Sequence, residues 1–494
     1  MLRRAFVGLT ALAALAIGTL PVVPGHDIPQ HLAYVRLLAM WQRDPASYPP
    51  MYAAPDASNG YVTIHLFLAR LSAWMSPETA LRLTLAAYVV ALALAVRSLV
   101  RATWGRDETA LLGPLAALNP VLCMGLLAYV VALPPLVAGA AEVVRRRLWA
   151  VTLWSAITAS LHVVAAAALL FFAGVMALVR RDRRSVFAFA LVLPGLAFAR
   201  GGAAFPPGFR GALFTNIRVH GLIAGGLGSF RVSFTHWSEK LDQIAASVVG
   251  PFPLAWKLVA AVLLVAMVRR LRTTHTATSG VRAACLALGL AAVVAPAAVQ
   301  VPDDLSLLDF RLITTATILG IAAIPPDILA PRRVIAAAVL LLLLWARQLR
   351  GAAAEVAQTT RLVAQLRPGD RLLALTMHDT SAYLDERNAI LHYAPVYHTA
   401  RSGGVTSLFW ARFTPRLPIG YLPAREPRRP PDWAPWELTD EQIDDYTHVL
   451  VRWPAAADDI RLHALKDRLE EYRRRGTLAS LASDGDCSLF AIGP

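Results

Sequence analysis

Apolar residues run through this chain in long blocks, not in the one-faced or alternating patterns of a soluble fold. LTLAAYVVALALAV (83–96), LVAAVLLVAMV (258–268), AACLALGLAAVVAPAAVQV (283–301) and VIAAAVLLLLLW (334–345) are the clearest. Several windows pass the roughly 18 apolar residues that mark a membrane-crossing helix. Arginine clusters punctuate them: Arg145-Arg146-Arg147, Arg180-Arg181 with Arg183-Arg184, Arg269-Arg270 with Arg272, and Arg332-Arg333. Loops retained in the cytoplasm carry such clusters. Placing each one inside predicts a polytopic α-helical membrane protein of about 11 spans with its N-terminus inside. The spans fall near 5–23, 78–99, 109–122, 125–143, 148–160, 162–179, 185–199, 252–268, 283–300, 311–325 and 334–350.

That layout puts the long first loop (24–77), a second large loop (200–250), the 301–310 loop and the C-terminal segment on the outer face. Residues 28–43 and 61–74 are amphipathic and carry Trp and Tyr, which suits helices lying in the membrane surface. After residue 351 the pattern changes. AAAEVAQTTRLVAQL reads as a helix stopped by Pro368-Gly369-Asp370, RLLALTM (371–377) and HVLVRW (448–453) as strands, and 458–476 as a charged helix. TLASLA and CSLFAI around Ser483-Asp484-Gly485-Asp486 read as a hairpin. The expected organisation is a transmembrane domain over 1–351 and an extracytoplasmic α/β domain over 352–494.

Composition agrees. The 494 residues are 56% hydrophobic and 16% charged, where a soluble chain carries about a quarter charged. The net charge of +15 suggests nucleic-acid binding until its distribution is read. Residues 352–494 hold 17 basic against 19 acidic groups, so the excess sits in the short loops between apolar runs, and nucleic acid is not an expected partner. Lysine is confined to Lys240, Lys257 and Lys466, which points to GC-rich bacterial coding and the bacterial inner membrane. The cysteines (Cys123, Cys285, Cys487) have neither disulfide nor metal spacing. MLRR and the apolar run after it lack a small-x-small cleavage site, so they read as a retained first helix.

Candidate chemistry begins at GHDIPQH (25–31), directly after the first span. Asp27, with Pro29 in the first turn and Gln30 three residues on, has the pattern of a capping box for the next helix. His31, four residues on, is placed to hydrogen-bond to it. A capping aspartate at a membrane surface can also face a substrate, and both readings stay open.

An acid just after the first span, in a long outer loop with surface helices, resembles the GT-C superfamily of membrane glycosyltransferases. Asn119-Pro120 in a short turn before GLLAYVVALPPLVAG, a histidine opening SLHVVAAAALLFF and a C-terminal outer domain fit the same architecture. The resemblance covers most of 1–350 as topology and residues 25–31 as motif. It implies a GT-C-like fold, a polyprenyl-phosphate-linked sugar as donor and membrane lipid as surroundings, with Asp27 as catalytic base and His31 orienting it. Many members carry paired acids, whereas Ile28 follows Asp27 here.

Such a transfer needs a carboxylate at the acceptor hydroxyl and cations on the departing phosphate. Arg311 in DDLSLLDFRLI is the first candidate for the phosphate, with a salt bridge to Asp309 or Asp303, or a snorkelling anchor, as its structural alternatives. Arg210, Arg218 and Arg231, with His220, His236 and Lys240 around GLIAGGLGSF, offer further cations or a headgroup-contacting surface. His162 faces the site or caps its helix. His65 and Arg70 fit either role. His378, Asp379, His392 and His398 lack the H-x-x-x-H spacing of a zinc site and suit a packed or glycan-contacting loop. No nucleotide-binding motif, metal site or cofactor is expected. The reading is a transferase moving sugar to a cell-envelope glycan, lipid or protein on the outer face. The rivals are a non-catalytic envelope-assembly protein on that scaffold and, less favoured, a lipid or glycan transporter.

Overall fold

The computed structural model describes residues 1–55, 62–201, 231–233, 279–295, 298–301, 303–306, 308–326, 330–384, 390–413, 419–422, 425–431, 434–454 and 460–493. It is mostly helical, with a small C-terminal sheet. The first helix, α1, spans Leu2–Gly18. The two amphipathic stretches form α2 (Ile28–Arg43) and α3 (Val62–Leu71). Helix α4 (Pro77–Trp104) opens at Ser76, whose hydroxyl accepts from the Thr79 N–H, and closes at left-handed Gly105 (φ +69°). Those are the boundary residues that satisfy orphan helix-end groups.

The span expected at 109–122 is not one helix. A 3₁₀ turn (Glu108–Leu112) leads into α5 (Gly113–Ala116) and α6 (Pro120–Met124). Pro114 and Pro120 cause the breaks, since proline removes an N–H and biases the preceding residue away from helix. Helices α7 (Leu127–Arg145), α8 (Leu148–Leu161), α9 (Val163–Arg180) and α10 (Arg183–Gly201) follow. The span expected at 252–268 lies outside the described residues. The one expected at 283–300 is shorter, because α11 (Ser279–Val294) stops before Pro296. Residues 298–301 are instead a strand, β2 (Ala298–Val301), paired antiparallel with β1 (Arg231–Ser233) and β3 (Asp303–Ser306). Helix α12 (Leu308–Gly320) comes next.

Helix α13 (Pro331–Val363) is 33 residues long and runs unbroken through the boundary expected at 351/352. Gly351 is the only weak helix former there and costs about 1 kcal/mol relative to Ala. The fully buried Ala352 and Ala353 beside it pack into the core and offset that loss. Among the described residues, α4, α7, α9 and α13 are long and apolar enough to cross a membrane. Leu83, Val90 and Leu94 on α4 and Leu340 and Leu343 on α13 face outward. Rows of exposed leucine are unfavourable in water and neutral in lipid, so the protein is membrane-embedded.

The helices share a polarity. Arg146 at the end of α7 pairs with Asp182 beyond α9 (3.2 Å), and Arg145 donates to the Ser98 carbonyl near the end of α4 (2.8 Å). Trp104 donates to the Ala322 carbonyl just past α12 (2.8 Å), and the Arg97 guanidinium lies 5.2 Å from the ring of Phe6 near the start of α1. The arginine clusters at 145–147 and 180–184, the ends of α4 and α12, and the N-terminus thus occupy one end of the bundle. The starts of α2, α4, α7, α9 and α12 lie at the other.

The C-terminal sheet joins β4 (Arg371–Thr376), β5 (Val405–Thr406), β6 (His448–Arg452), β7 (Leu478–Asp484) and β8 (Cys487–Ile492) in the order β5-β4-β6-β8-β7. Strand β4 is parallel to β5 and β6, and β8 is antiparallel to β6 and β7. Leu373, Leu375, Val449 and Val451 pack with Leu465 and Leu469 of α16 (Ile460–Arg474) on one face. Leu372, Leu450 and Leu489 on the other face join the main core of the molecule. Burial on both sides explains the continuous apolar runs of β4 and β6. The short helices α14 (Tyr397–Ser402) and α15 (Asp440–Ile443) complete this part.

Candidate functional site

The site is assembled on a turn. Gly125, left-handed at φ +76°, ends α6, and a Cβ there would lie 2.9 Å from the backbone nitrogens of Asp27 and Ile28. Only glycine tolerates both that conformation and that approach. The Cys123 and Met124 carbonyls accept from the N–H groups of His26 (3.1 Å) and Asp27 (3.0 Å). The GHD stretch is therefore held by its backbone.

The predicted capping box does not form. Asp27 stands at the N-cap of α2 but has helical dihedrals (φ −91°, ψ −5°) and makes no side-chain capping bond. Gln30 is fully buried and turns toward the C-terminal sheet instead. Its Nε2 donates to the Leu408 carbonyl (2.7 Å), and its Oε1 accepts from the Trp410 N–H (3.0 Å). The chain just past β5 leaves these backbone groups without ladder partners, and leaving them buried and unpaired costs about 1–3 kcal/mol each. Their demand overrides the local cap.

Asp27 is consequently a buried carboxyl, 6% exposed, that serves no helix end. Burial pushes its pKa up from 3.8 to about 6, with His26 and then Arg311 pulling the other way. His26 Nε2 lies 3.7 Å from Asp27 Oδ1. Arg311, in the first turn of α12, acts on Asp27 through its field but forms no direct ion pair with it.

Arg311 is 8% exposed, and its Nε has no hydrogen-bond partner among the described residues. The salt bridge to Asp309 does not form; Asp309 Oδ1 accepts from the Phe310 N–H (2.8 Å). Asp303 has only its backbone described. The guanidinium carbon lies 5.8 Å from the centroid of the Tyr129 ring, a cation–π contact. The Tyr129 hydroxyl donates to the Arg311 carbonyl (2.7 Å) and touches the Thr315 hydroxyl. Tyr129 also meets the ring of His162 edge-on at 5.0 Å. His162 caps α9, its Nδ1 accepting from the Val164 N–H (3.2 Å), and this assigns the ring hydrogen of the neutral form to Nε2. Asp27, Arg311 and His162, far apart in sequence, thus converge at one end of the bundle, opposite the arginine clusters.

His31 does not bond to Asp27. Its Nδ1 is 2.8 Å from His65 Nε2 of α3, and the ring is also hydrogen-bonded to the Gly125 backbone. Burial and the His65 charge push its pKa well below 6.5. A neutral His31 that donates to the Gly125 carbonyl accepts at Nδ1, so His65 is the donor of the pair. The histidine placed to orient the carboxylate instead steadies the turn beneath it.

The C-terminal part supplies a wall that sequence reasoning left as a packed or glycan-contacting loop. His392 stacks on His26 (6.4 Å), Tyr393 meets His26 edge-on (4.7 Å), and Trp410 lies against both Tyr393 (5.4 Å) and His31 (6.4 Å). His398 points elsewhere, its Nε2 2.9 Å from the Asp370 carbonyl. Arg210, Arg218, His220, His236 and Lys240 lie outside the described residues, and Arg231 is described only as backbone in β1. Reading by motif missed Tyr129 and gave His26 no role. Tyr129 carried no local signal, but His26 stood beside Asp27 in the motif. No cluster of three metal-ligating side chains occurs among the described residues.

No family's sequence pattern matches the chain, and no curated protein matches it. Solved structures do. ArnT from Cupriavidus metallidurans in the apo state matches over 99% of this chain and 98% of its own, at 12% identity and a TM-score of 0.50. The same protein bound to undecaprenyl phosphate matches over the same shares at 11% identity and 0.49. At such identity the likeness to the apo protein speaks to architecture alone, and the chain has the fold seen in that ArnT structure.

Proposed function

We propose that this protein transfers a sugar from a polyprenyl-phosphate-linked donor to a cell-envelope acceptor on the outer face of the bacterial inner membrane. The observation that carries the reading is the pair Asp27 and Arg311. Both are buried and in each other's field, neither forms an ion pair with the other, and Asp27 caps no helix. A buried base in the field of a buried guanidinium, whose Nε has no partner among the described residues, matches the two charges of glycosyl transfer. Asp27 takes the proton of the acceptor hydroxyl as the new C1–O bond forms. The C1–O bond to phosphate breaks with its electron pair going to the phosphate. Arg311, planar and permanently charged, stabilises that phosphate, with the His162 Nε2–H beside it. Tyr129 holds Arg311 in place from below. The positive-inside rule supports the sidedness, since this end is opposite the arginine clusters.

The test is envelope-glycan analysis in the native host, comparing a deletion strain complemented with wild type, Asp27→Asn or Arg311→Gln. Asp27→Asn is expected to leave the glycan as in the deletion strain, although the variant accumulates in the membrane. A glycan unchanged by Asp27→Asn, alongside a clear deletion phenotype, would sink the catalytic reading.

A further inference from the structure

We propose that His26 is the proton partner of Asp27, receiving the acceptor proton from the buried carboxyl and delivering it to solvent. The inference rests on the glycosyl-transfer reading and adds a step which that reading leaves open. Each turnover leaves a proton on Asp27, whose side chain is only 9% exposed, and the carboxylate must be regenerated before the next acceptor arrives.

Geometry selects the outlet. Around Asp27 stand Arg311 on α12, His31 on α2 with His65 on α3, His162 with Tyr129 at the starts of α9 and α7, and His26 with His392 and Tyr393 on the C-terminal side. Arg311 is a guanidinium and offers no lone pair to take the proton. His31 is turned to His65 and Gly125, and the imidazole that acts on the Asp27 charge is His26, not His162. His26 is within ion-pair distance, at 3.7 Å, and its side chain is 21% exposed. It is the only imidazole among these that joins the carboxyl to the surface. A small closure or one water brings the two into proton-transfer contact. The His392 and Tyr393 rings fix the plane of His26, so the ring presents Nε2 to Asp27.

The balance is simple. The acceptor O–H proton passes to Asp27 as the glycosidic bond forms and the phosphate leaves. The Asp27 carboxyl gives that proton to His26, which becomes imidazolium and loses it to water. No oxidant, metal or second substrate enters.

Two measurements test it. Purified protein in nanodiscs, with no substrate, is titrated by the carboxyl infrared band assigned with Asp27→Asn. Coupling requires the Asp27 midpoint to rise by about half a pH unit or more in His26→Gln. Membranes of the deletion strain, carrying their own donor and acceptor, are then assayed for sugar incorporated by each variant. His26→Gln is expected to slow incorporation about tenfold or more. Added imidazole should restore it in His26→Gln but not in Asp27→Asn, an effect no purely structural role produces. An Asp27 midpoint unmoved in His26→Gln, an undiminished rate in His26→Gln, or no recovery with imidazole would each overturn the relay. Full incorporation by Asp27→Asn would instead overturn the glycosyl-transfer reading beneath it.

Discussion

Asp27 is kept at a cost. Its folded-state pKa of about 6 lies above the 3.8 of the unfolded chain, because burial penalises the charged form. The folded protein therefore binds the extra proton between those values. The penalty is absent below about pH 4 and grows as pH rises through 6. At neutral pH it amounts to roughly 3 kcal/mol, since a tenfold change in proton affinity is worth about 1.36 kcal/mol. Asp27→Asn should therefore raise the midpoint of thermal unfolding in detergent at pH 7, and the gain should vanish toward pH 4. A carboxylate that merely closed a helix would show the reverse. Arg311 acts on the same group with opposite sign. Arg311→Gln removes a charge that lowers the Asp27 pKa, so the acidic limb of any residual transfer activity should move to higher pH. Arg311→Lys keeps the limb in place and loses rate, because an ammonium lacks the planar fork.

Gln30 and Gly125 do at the scale of elements what Asp27 does at the scale of residues. Through Gln30, α2 closes two backbone groups beyond β5. Gln30→Ala leaves both buried and unpaired, and a loss of about 2–4 kcal/mol is expected, read as a lowered unfolding midpoint. The same variant should loosen the wall that bears Trp410, seen as faster proteolysis between residues 403 and 413. Gly125→Ala strains a left-handed turn and pushes against the Asp27 backbone. Its mark should be a fall in transfer rate larger than its effect on stability, since the displaced group is the proposed base. Both sites involve residues named in or near the motifs, yet neither role was legible in them. The sequence offers Gln30 as a helix cap, which is the local solution, and the strand end that outcompetes it lies nearly 380 positions away.

The molecule as a whole depends on α13 being one rigid rod. Its Arg332-Arg333 start belongs to the run of basic clusters and its far end reaches the C-terminal sheet, where Thr359 meets Cys487 (3.4 Å). A second tie, Arg401 to Glu78 at the start of α4 (3.1 Å), fixes the sheet over the site. Inserting two alanines after Leu349 should rotate everything beyond by roughly 200° and advance it by about 3 Å without breaking the helix. Membrane insertion should survive while the Gln30, His392 and Trp410 contacts to the first loop are lost. Loss of transfer in a protein that still reaches the membrane is the expected result. Retained transfer would show that the C-terminal wall is dispensable.

Residue order alone determined the membrane setting, the two amphipathic helices after the first span and the strands of the C-terminal sheet other than β5. Those depend on local periodicity and on runs of apolar side chains, which the chain displays directly. It also singled out Asp27, Arg311 and His162, because charged and imidazole groups at the ends of apolar runs are costly without a purpose. Tertiary structure decided the rest. It carried α13 past residue 351, withdrew Gln30 from its cap and turned His31 toward His65. Each of these was settled by a partner distant in sequence, or by a packing gain larger than the local preference. That is why GHDIPQH read as a helix start and folds as one wall of a charged, buried site.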